Sequence, residues 1–299
     1  MSKVVSASAD ADHVAPAEFT RSRDERAGGP RHQPGMRRKI PVGEGIALRC
    51  WDLGRGPPVV LLHGFANTAT LNWRLPLFHR RLARSFRVIA PDQRGHGGSG
   101  KPRFAESYGL ELVRDVRRLL DRLELDRVHL VGMSLGGFVA LKAASEIPQR
   151  LRSVTLLGAG WKDESDHGFL AALRRVADVV ERGHGIPPLA ALFPGERPAP
   201  SWVHNLLVWY LTRMASDKQA LASLIRSLPA LALSAPEVAA IETPLCAIVG
   251  SRDPFLSEAQ TLRHLRPQTE LTVIHGAGHI DLVLRGNVRR AVRDFIRRH

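Results

Sequence analysis

The stretch RVHLVGMSLGG, Arg127–Gly137, decides the fold: an apolar run suited to a buried strand meets a Gly-Met-Ser-Leu-Gly turn and then a helix-like segment. A G-x-S-x-G turn between strand and helix sets its serine on so sharp a bend that the hydroxyl stands clear of its own backbone. Gly132 and Gly136 remove the side chains that would collide there. Ser134 is thus presented as a candidate nucleophile, and the free N–H groups at the start of the following helix point at whatever lies over it. The Leu135 N–H is placed to receive a developing oxyanion.

A serine hydroxyl is a weak nucleophile unless a base takes its proton and an acid fixes that base, so two further residues are expected at strand ends. Asp253 stands in GSRDPF just after the strand-like PLCAIVG, and His279 stands in HGAGH just after TVI. Three loops at the carboxyl ends of parallel strands can converge on one crevice in the order Ser, Asp, His.

The rest of the chain supplies those strands. Residues 1–36 are polar and aperiodic and read as a disordered tail. RKIPV and IALRCWDL, split by Gly-Glu-Gly, read as a hairpin at a sheet edge. The continuous apolar run at Val59–His63 reads as a strand buried on both faces, Phe86–Pro91 as a further strand and Val154–Leu157 as another buried one. Helical patterns over Asn72–Ser85 and Tyr108–Leu123 alternate with them, which means βαβ units and a parallel sheet. From Trp161 to about Pro236 the alternation stops, leaving only helix-like segments (Phe169–Arg182, Trp202–Ala215, Gln219–Leu228) between Pro-rich breaks. It resumes with Pro244–Gly250, Ser257–Leu265, Leu271–Ile274 and a last helix from Asp281, whose carboxylate is expected to cap it.

Composition narrows the function classes. At 299 residues, 44% hydrophobic and 24% charged, the chain is globular, and no apolar run approaches the roughly 18–20 residues that span a bilayer. The N-terminus has no apolar core and carries Asp10, Asp12, Glu18, Asp24 and Glu25 among its basic residues, so no secretory or transit peptide is expected and the location is read as cytoplasmic. Cys50 and Cys246 both lie in strand-like runs and read as buried thiols. The formal charge of +14 lies outside the balanced tail, mostly as Arg on helical segments, densest at Arg289, Arg290, Arg293, Arg297 and Arg298. With no nucleic-acid motif beside them, these arginines read as a solvated basic surface, and no nucleic-acid partner is expected. GHGGSGK at Gly95–Lys101 imitates a phosphate-binding loop, but Pro102 follows where Ser or Thr is needed and no helix opens there. No ligand spacing for a metal appears, so neither metal nor cofactor is expected.

From about Arg38 to the end, the chain resembles the α/β-hydrolase superfamily, through HGF (63–65), DQRGHGGS (92–99), GMSLGG (132–137), GSRDPF (250–255) and HGAGH (275–279). The resemblance implies a mostly parallel, doubly wound sheet of about eight strands. Its core would be residues 37–160 and 236–299, with residues 161–235 inserted as a helical cap over the site. It also implies that the Phe65 N–H is the second oxyanion donor beside Leu135, that His63 is structural, and that the DQRGHGGS loop shapes the rim, leaving His96 structural. His275 competes with His279 as base; the small residues Gly276, Ala277 and Gly278 favour His279, on a loop that can swing an imidazole over the elbow. Trp161, Phe193, Trp202, Trp209, Tyr210 and Met214 are candidates for an apolar substrate pocket, the alternative being that they pack cap on core.

The implied activity is that of a cofactor-free serine hydrolase cleaving a small or medium apolar carboxylic ester through an acyl-enzyme. Epoxide hydrolases and haloalkane dehalogenases share the scaffold but carry Asp at the elbow, so Ser134 speaks against both. Carbon–carbon bond hydrolases, thioesterases, lactonases, perhydrolases and acyltransferases share the triad and stay open, as does a ligand receptor with little turnover. Relatives that cleave ring-fission products often carry Trp directly after the catalytic His, where this chain has Ile280.

Overall fold

The computed structural model describes residues 36–163, 166–184 and 217–299. Residues 1–35 of the expected tail lie outside the described residues, Met36 opens the first strand instead, and the expected cap helix Trp202–Ala215 also lies outside the described residues.

Among the described residues, eight strands form one sheet: β1 (Met36–Gly43), β2 (Ile46–Leu53), β3 (Pro58–Leu62), β4 (Arg87–Pro91), β5 (Val128–Met133), β6 (Leu151–Leu157), β7 (Leu245–Gly250) and β8 (Glu270–Ile274). The order across the sheet is β1-β2-β4-β3-β5-β6-β7-β8. β1 and β2 make the expected antiparallel hairpin at one edge, and β4 through β8 are parallel with β3. Every residue of β5 and β7 is buried, which is why neither alternates apolar with polar residues; His129 in β5 is the exception to their apolar character.

Helices cover both faces. α1 (Phe78–Leu82) and the C-terminal helix bury Phe78, Leu82, Val288, Val292 and Phe295 on one side of the sheet. α2 (Leu110–Arg122), α3 (Leu135–Glu146) and the helix after β7 bury Leu112, Val116, Leu120, Val139, Ala143 and Leu262 on the other. The inserted region contributes α4 (His167–Glu181) and α5 (Lys218–Ser227), followed by α6 (Ala235–Ala239), α7 (Leu256–Leu265) and α8 (Gly286–Arg298). The chain leaves β3 toward β4 on one side, while β5 lies on the other. The carboxyl ends of β3 and β5 therefore flank the switch point where open α/β sheets form their crevice.

One expected helix is broken. Asn72–Ser85 forms a short π-helical turn at Thr70–Arg74 and then α1, with Leu77 between them in the left-handed region at φ 59°. Pro76 stands at the break with no N–H to donate; Leu75 before it keeps helical backbone (φ −62°, ψ −41°), and the chain turns left-handed only at Leu77 after it. β6 also starts three residues earlier than its apolar run, because Leu151 and Ser153 are buried in register with β5.

The elbow is tight enough to predict its failure. A Cβ at Gly132 would lie 2.0 Å from the Gly136 carbonyl oxygen, whereas one at Gly276 meets nothing within 4 Å. Gly132→Ala should lower the unfolding free energy by about 3 kcal/mol or more through overpacking. Gly276→Ala, strained only by its positive φ, should cost about 1–2 kcal/mol in the same urea titration.

Acid sensitivity follows from β5. His129 is buried with Nδ1 2.8 Å from Ser153 Oγ, and burial pushes its pKa down to about 4 from 6.5. The unfolded chain therefore binds a proton that the folded chain refuses, so this stability is present above pH 6.5 and is lost as pH falls toward 4. Urea midpoints should drop as the pH falls through that window, with the buried His63 and His96 contributing in the same direction, and the part of the drop that His129→Gln removes should be on the order of 2 kcal/mol.

Candidate active site

Ser134 follows β5 directly, at φ 51° and ψ −115°, a strained backbone for a side-chain-bearing residue. Two contacts hold it there. Its N–H donates to the Leu157 carbonyl at the end of β6 (2.9 Å), and α3 starts at the next residue. The approach of neighbouring backbone is close on every side. A Cβ at Gly136 would sit 2.3 Å from the Leu62 carbonyl oxygen of β3, and one at Gly137 would sit 2.5 Å from Ala159 Cβ. α3 can lie this near the sheet only because those positions are glycine.

Asp253 and His279 meet beside it. Asp253 is buried three residues past β7, and Phe255 N–H donates to its Oδ1 (3.0 Å). His279 Nδ1 lies 3.1 Å from both Asp253 oxygens. The acceptor-only carboxylate assigns the proton to Nδ1 and leaves Nε2 with a lone pair, the tautomer a general base needs. His275, the competing base, is exposed at the end of β8. Among the described residues no hydrogen bond joins Ser134 Oγ to His279; in unliganded sites this link is commonly long and closes with substrate.

Sequence reading missed the residue that joins the two halves. Gly158, at φ 54°, immediately follows Leu157, the residue that anchors Ser134. A Cβ on it would lie 2.9 Å from both Asp253 Oδ2 and His279 Nδ1. It forms the floor on which the acid–base pair rests. The only sequence signal was the Gly-Ala-Gly run closing β6, which reads equally well as a plain strand end. Phe255 was missed as well: its ring packs 5.4 Å from His279 and 5.4 Å from Phe138, one helical turn past Ser134.

The expected oxyanion donors lie at the switch point. A Cβ on Gly64 would be 3.5 Å from Ser134 Cβ, so the loop after β3 runs directly against the elbow. Phe65 N–H and Leu135 N–H have no acceptor among the hydrogen bonds of the described residues. His63 and His96 are fully buried, and burial lowers the pKa of both, as suits neutral structural imidazoles.

Asp281 corrects an expectation. It does not cap the last helix: its Oδ1 accepts the Gly278 N–H (2.7 Å) and its Oδ2 pairs with Arg285 (2.5 Å), while α8 starts at Gly286 without a side-chain cap. The carboxylate instead steadies the loop that carries His279.

Of the six candidate pocket residues, Phe193, Trp202, Trp209, Tyr210 and Met214 lie outside the described residues. Trp161 is half-buried, with its Nε1–H on the Leu233 carbonyl (2.7 Å), and it lines a pocket of about 60 Å³ with Phe138, Leu141, Phe169, Leu173 and Leu231. Phe65 and Ala66 pack into the apolar cluster formed by α4 and α5, so the inserted helices rest on the loop after β3. Among the described residues, no three His, Cys, Asp or Glu side chains gather as a metal site.

With this geometry in place, the family can be stated. Residues 57–285 match the α/β-hydrolase fold family, and the chain belongs to it. It is similar to the 2-hydroxy-6-oxo-2,4-heptadienoate hydrolase of Pseudomonas putida, 45% identical over 124 residues, 40% of this chain and 44% of that protein. The 2-hydroxymuconate semialdehyde hydrolase of a Pseudomonas species is 39% identical over 132 residues, 44% of this chain and 46% of that protein. The matched region thus spans less than half the length of these curated relatives. Among solved structures, a malate-bound thermophilic esterase from Thermogutta terrifontis superposes with a TM-score of 0.74 at 26% identity, covering 88% of this chain and 98% of that one.

The two histidines separate cleanly by experiment. His279→Ala should lower kcat by about 10⁴ or more, since triads fail as a unit. His275→Ala should stay within about tenfold of the unmutated protein. Steady-state kinetics on folded variants checks both.

Proposed function

We propose that the chain is a cofactor-free serine hydrolase that cleaves small or medium apolar carboxylic esters. The carrying observation is the Asp253–His279 pair, seated on Gly158 one residue from the backbone anchor of Ser134. Ser134 Oγ attacks the ester carbonyl carbon as its proton passes to His279 Nε2, and the Phe65 and Leu135 N–H groups receive the oxyanion. Collapse expels the alcohol, which takes that proton from His279. Water, deprotonated by the same imidazole, then releases the acid and restores Ser134. Asp253 orients the ring and stabilises the imidazolium throughout. We place the enzyme in the cytoplasm, where two buried, unpaired thiols at Cys50 and Cys246 would stay reduced; among the described residues no helix is long and apolar enough to cross a membrane.

The apolar acyl preference rests on the pocket beside Phe138, whose lining is mostly apolar, with Lys162 and Asp163 as its charged members. Each methylene buried there contributes up to about 0.8 kcal/mol, near fourfold in kcat/KM, until the space is full.

A second reading has its own support: the two Pseudomonas relatives described above are hydrolases named for an oxo-heptadienoate and a muconate semialdehyde, which points to carbon–carbon cleavage. That chemistry begins with the same attack on a carbonyl carbon but expels a carbon leaving group. Ile280 in place of the Trp that such enzymes often carry after the catalytic His weighs toward esters.

One set of assays decides. A fluorophosphonate should label Ser134 and lose the label in Ser134→Ala. Across p-nitrophenyl esters of graded chain length, kcat/KM should climb and then level off with continuing turnover. Faster turnover of 2-hydroxy-6-oxo-2,4-heptadienoate than of any ester would replace the ester reading with the carbon–carbon one. Tight binding with a single turnover would make the protein a receptor.

A further inference from the structure

The DQRGHGGS loop takes no part in the chemistry just described, yet it lies under the loop that supplies the Phe65 N–H. The backbone donors there follow a pattern. Gly64 N–H donates to Asn72 Oδ1 (2.9 Å), Ala66 N–H to His96 Nε2 (3.1 Å) and Ala69 N–H to Asp92 Oδ1 (2.9 Å). Phe65 N–H, between the first two, has no acceptor among the hydrogen bonds of the described residues. A chain segment whose donors are taken on both sides of one free N–H has that N–H aimed by its neighbours rather than by itself.

His96 is the unusual member of this set. Its ring is fully buried and touches the loop twice: it accepts the Ala66 N–H, and the Phe65 ring packs edge-on to it at 6.1 Å. Ala66 is held at φ 52°, a left-handed conformation that costs a non-glycine residue about 1–2 kcal/mol and needs outside support. The His96 tautomer is determined from both ends, since Nδ1–H donates to the Arg94 carbonyl (3.1 Å) and Nε2 must then carry the lone pair. Burial and the nearby His63 ring both disfavour its charged form, so the acceptor persists. Beneath it the loop is immobilised: Arg94, fully buried, pairs with both oxygens of Asp115 (2.7 and 2.6 Å) and donates to the Ser107 carbonyl (2.6 Å). Above it, Phe65 and Ala66 carry the packing of α4 and α5.

We propose that His96 is a positioning residue for the oxyanion donor: as a neutral hydrogen-bond acceptor it fixes Ala66 and thereby the direction of the Phe65 N–H. The proposal rests on the serine-hydrolase reading for its kinetic consequence but not for its geometry. Removing the acceptor lets the Ala66–Phe65 peptide relax toward ordinary backbone. A displacement of order 1 Å at a donor that acts only on the transition state lowers the chemical step by about 10²-fold and leaves ground-state binding nearly unchanged.

The test compares His96→Phe, which keeps a flat ring without an acceptor, with His96→Gln, whose Oε1 can reach the place of Nε2. The expected result is a kcat about 10²-fold lower in His96→Phe with KM within about threefold, a parallel loss in the rate of fluorophosphonate labelling of Ser134, and recovery to within about tenfold in His96→Gln. A folded His96→Phe within threefold of the unmutated kcat overturns the proposal, as does an equal loss in both variants or a loss confined to KM. Should neither variant fold, or should the unmutated protein take no label, imidazole ¹⁵N spectra of the unmutated protein decide. A proton on Nδ1 and an unprotonated Nε2 bonded to the Ala66 amide from pH 5 to 9 uphold the positioning role, and a protonated Nε2 overturns it. Failure of labelling in the unmutated protein with the expected ¹⁵N pattern counts against the serine-hydrolase reading alone.

Discussion

Close approach of bare backbone is the constraint on which the rest of this molecule depends. With Gly136 O 2.0 Å from where a Gly132 Cβ would be, and Leu62 O 2.3 Å from where a Gly136 Cβ would be, strand, turn and helix occupy a space that admits no side chain. The strain at Ser134 is sustained by this packing and by the bond to the Leu157 carbonyl. Loosening it would let the serine relax and separate it from Gly158, and so from Asp253 and His279.

Around that centre, buried polar groups are placed in pairs and in position. Asp92, fully buried, accepts from Ala69 N–H, Gly98 N–H and Arg49, which ties the loop after β4 to both the hairpin and the loop after β3. Arg94 does the same toward α2 through Asp115. An uncompensated charge at either place would cost several kcal/mol, so these pairs act as registration devices more than as net sources of stability. Their result is that the loops after β3 and β4, the hairpin and α2 are held in relative position by hydrogen bonds of definite direction.

The inserted helices pack on the loop after β3. α4 and α5 bury Leu173, Val176, Leu221 and Ile225 against each other and against Ala66. The cap thus bears on the loop that holds the Phe65 N–H.

Much of this was legible from the chain alone. The largely apolar, non-alternating runs of β3, β5 and β7 revealed a parallel core because strands buried on both faces do not alternate. The elbow, Asp253 and His279 stood out because their chemistry restricts residue type and order. Short-range backbone effects were harder to see. The break before α1 needed Pro76 and a left-handed Leu77 to be weighed against helical periodicity. The role of Asp281 turned on whether its carboxylate faced Gly278 or the helix ahead. Gly158 and His96 were the least legible, since a glycine at a strand end and a histidine in a polar loop have many uses. Their roles come from contacts across 95 residues or more for Gly158 (with Asp253) and 30 residues for His96 (with Ala66), and only the folded sheet brings those partners together. Local pattern, then, is what the sequence determined by itself: which runs are buried, in what order strands follow, and which residues are candidates for chemistry. The tertiary structure alone decided direction, meaning which N–H stays free and which carboxylate faces which ring, because hydrogen-bond geometry depends on partners that are distant in the chain.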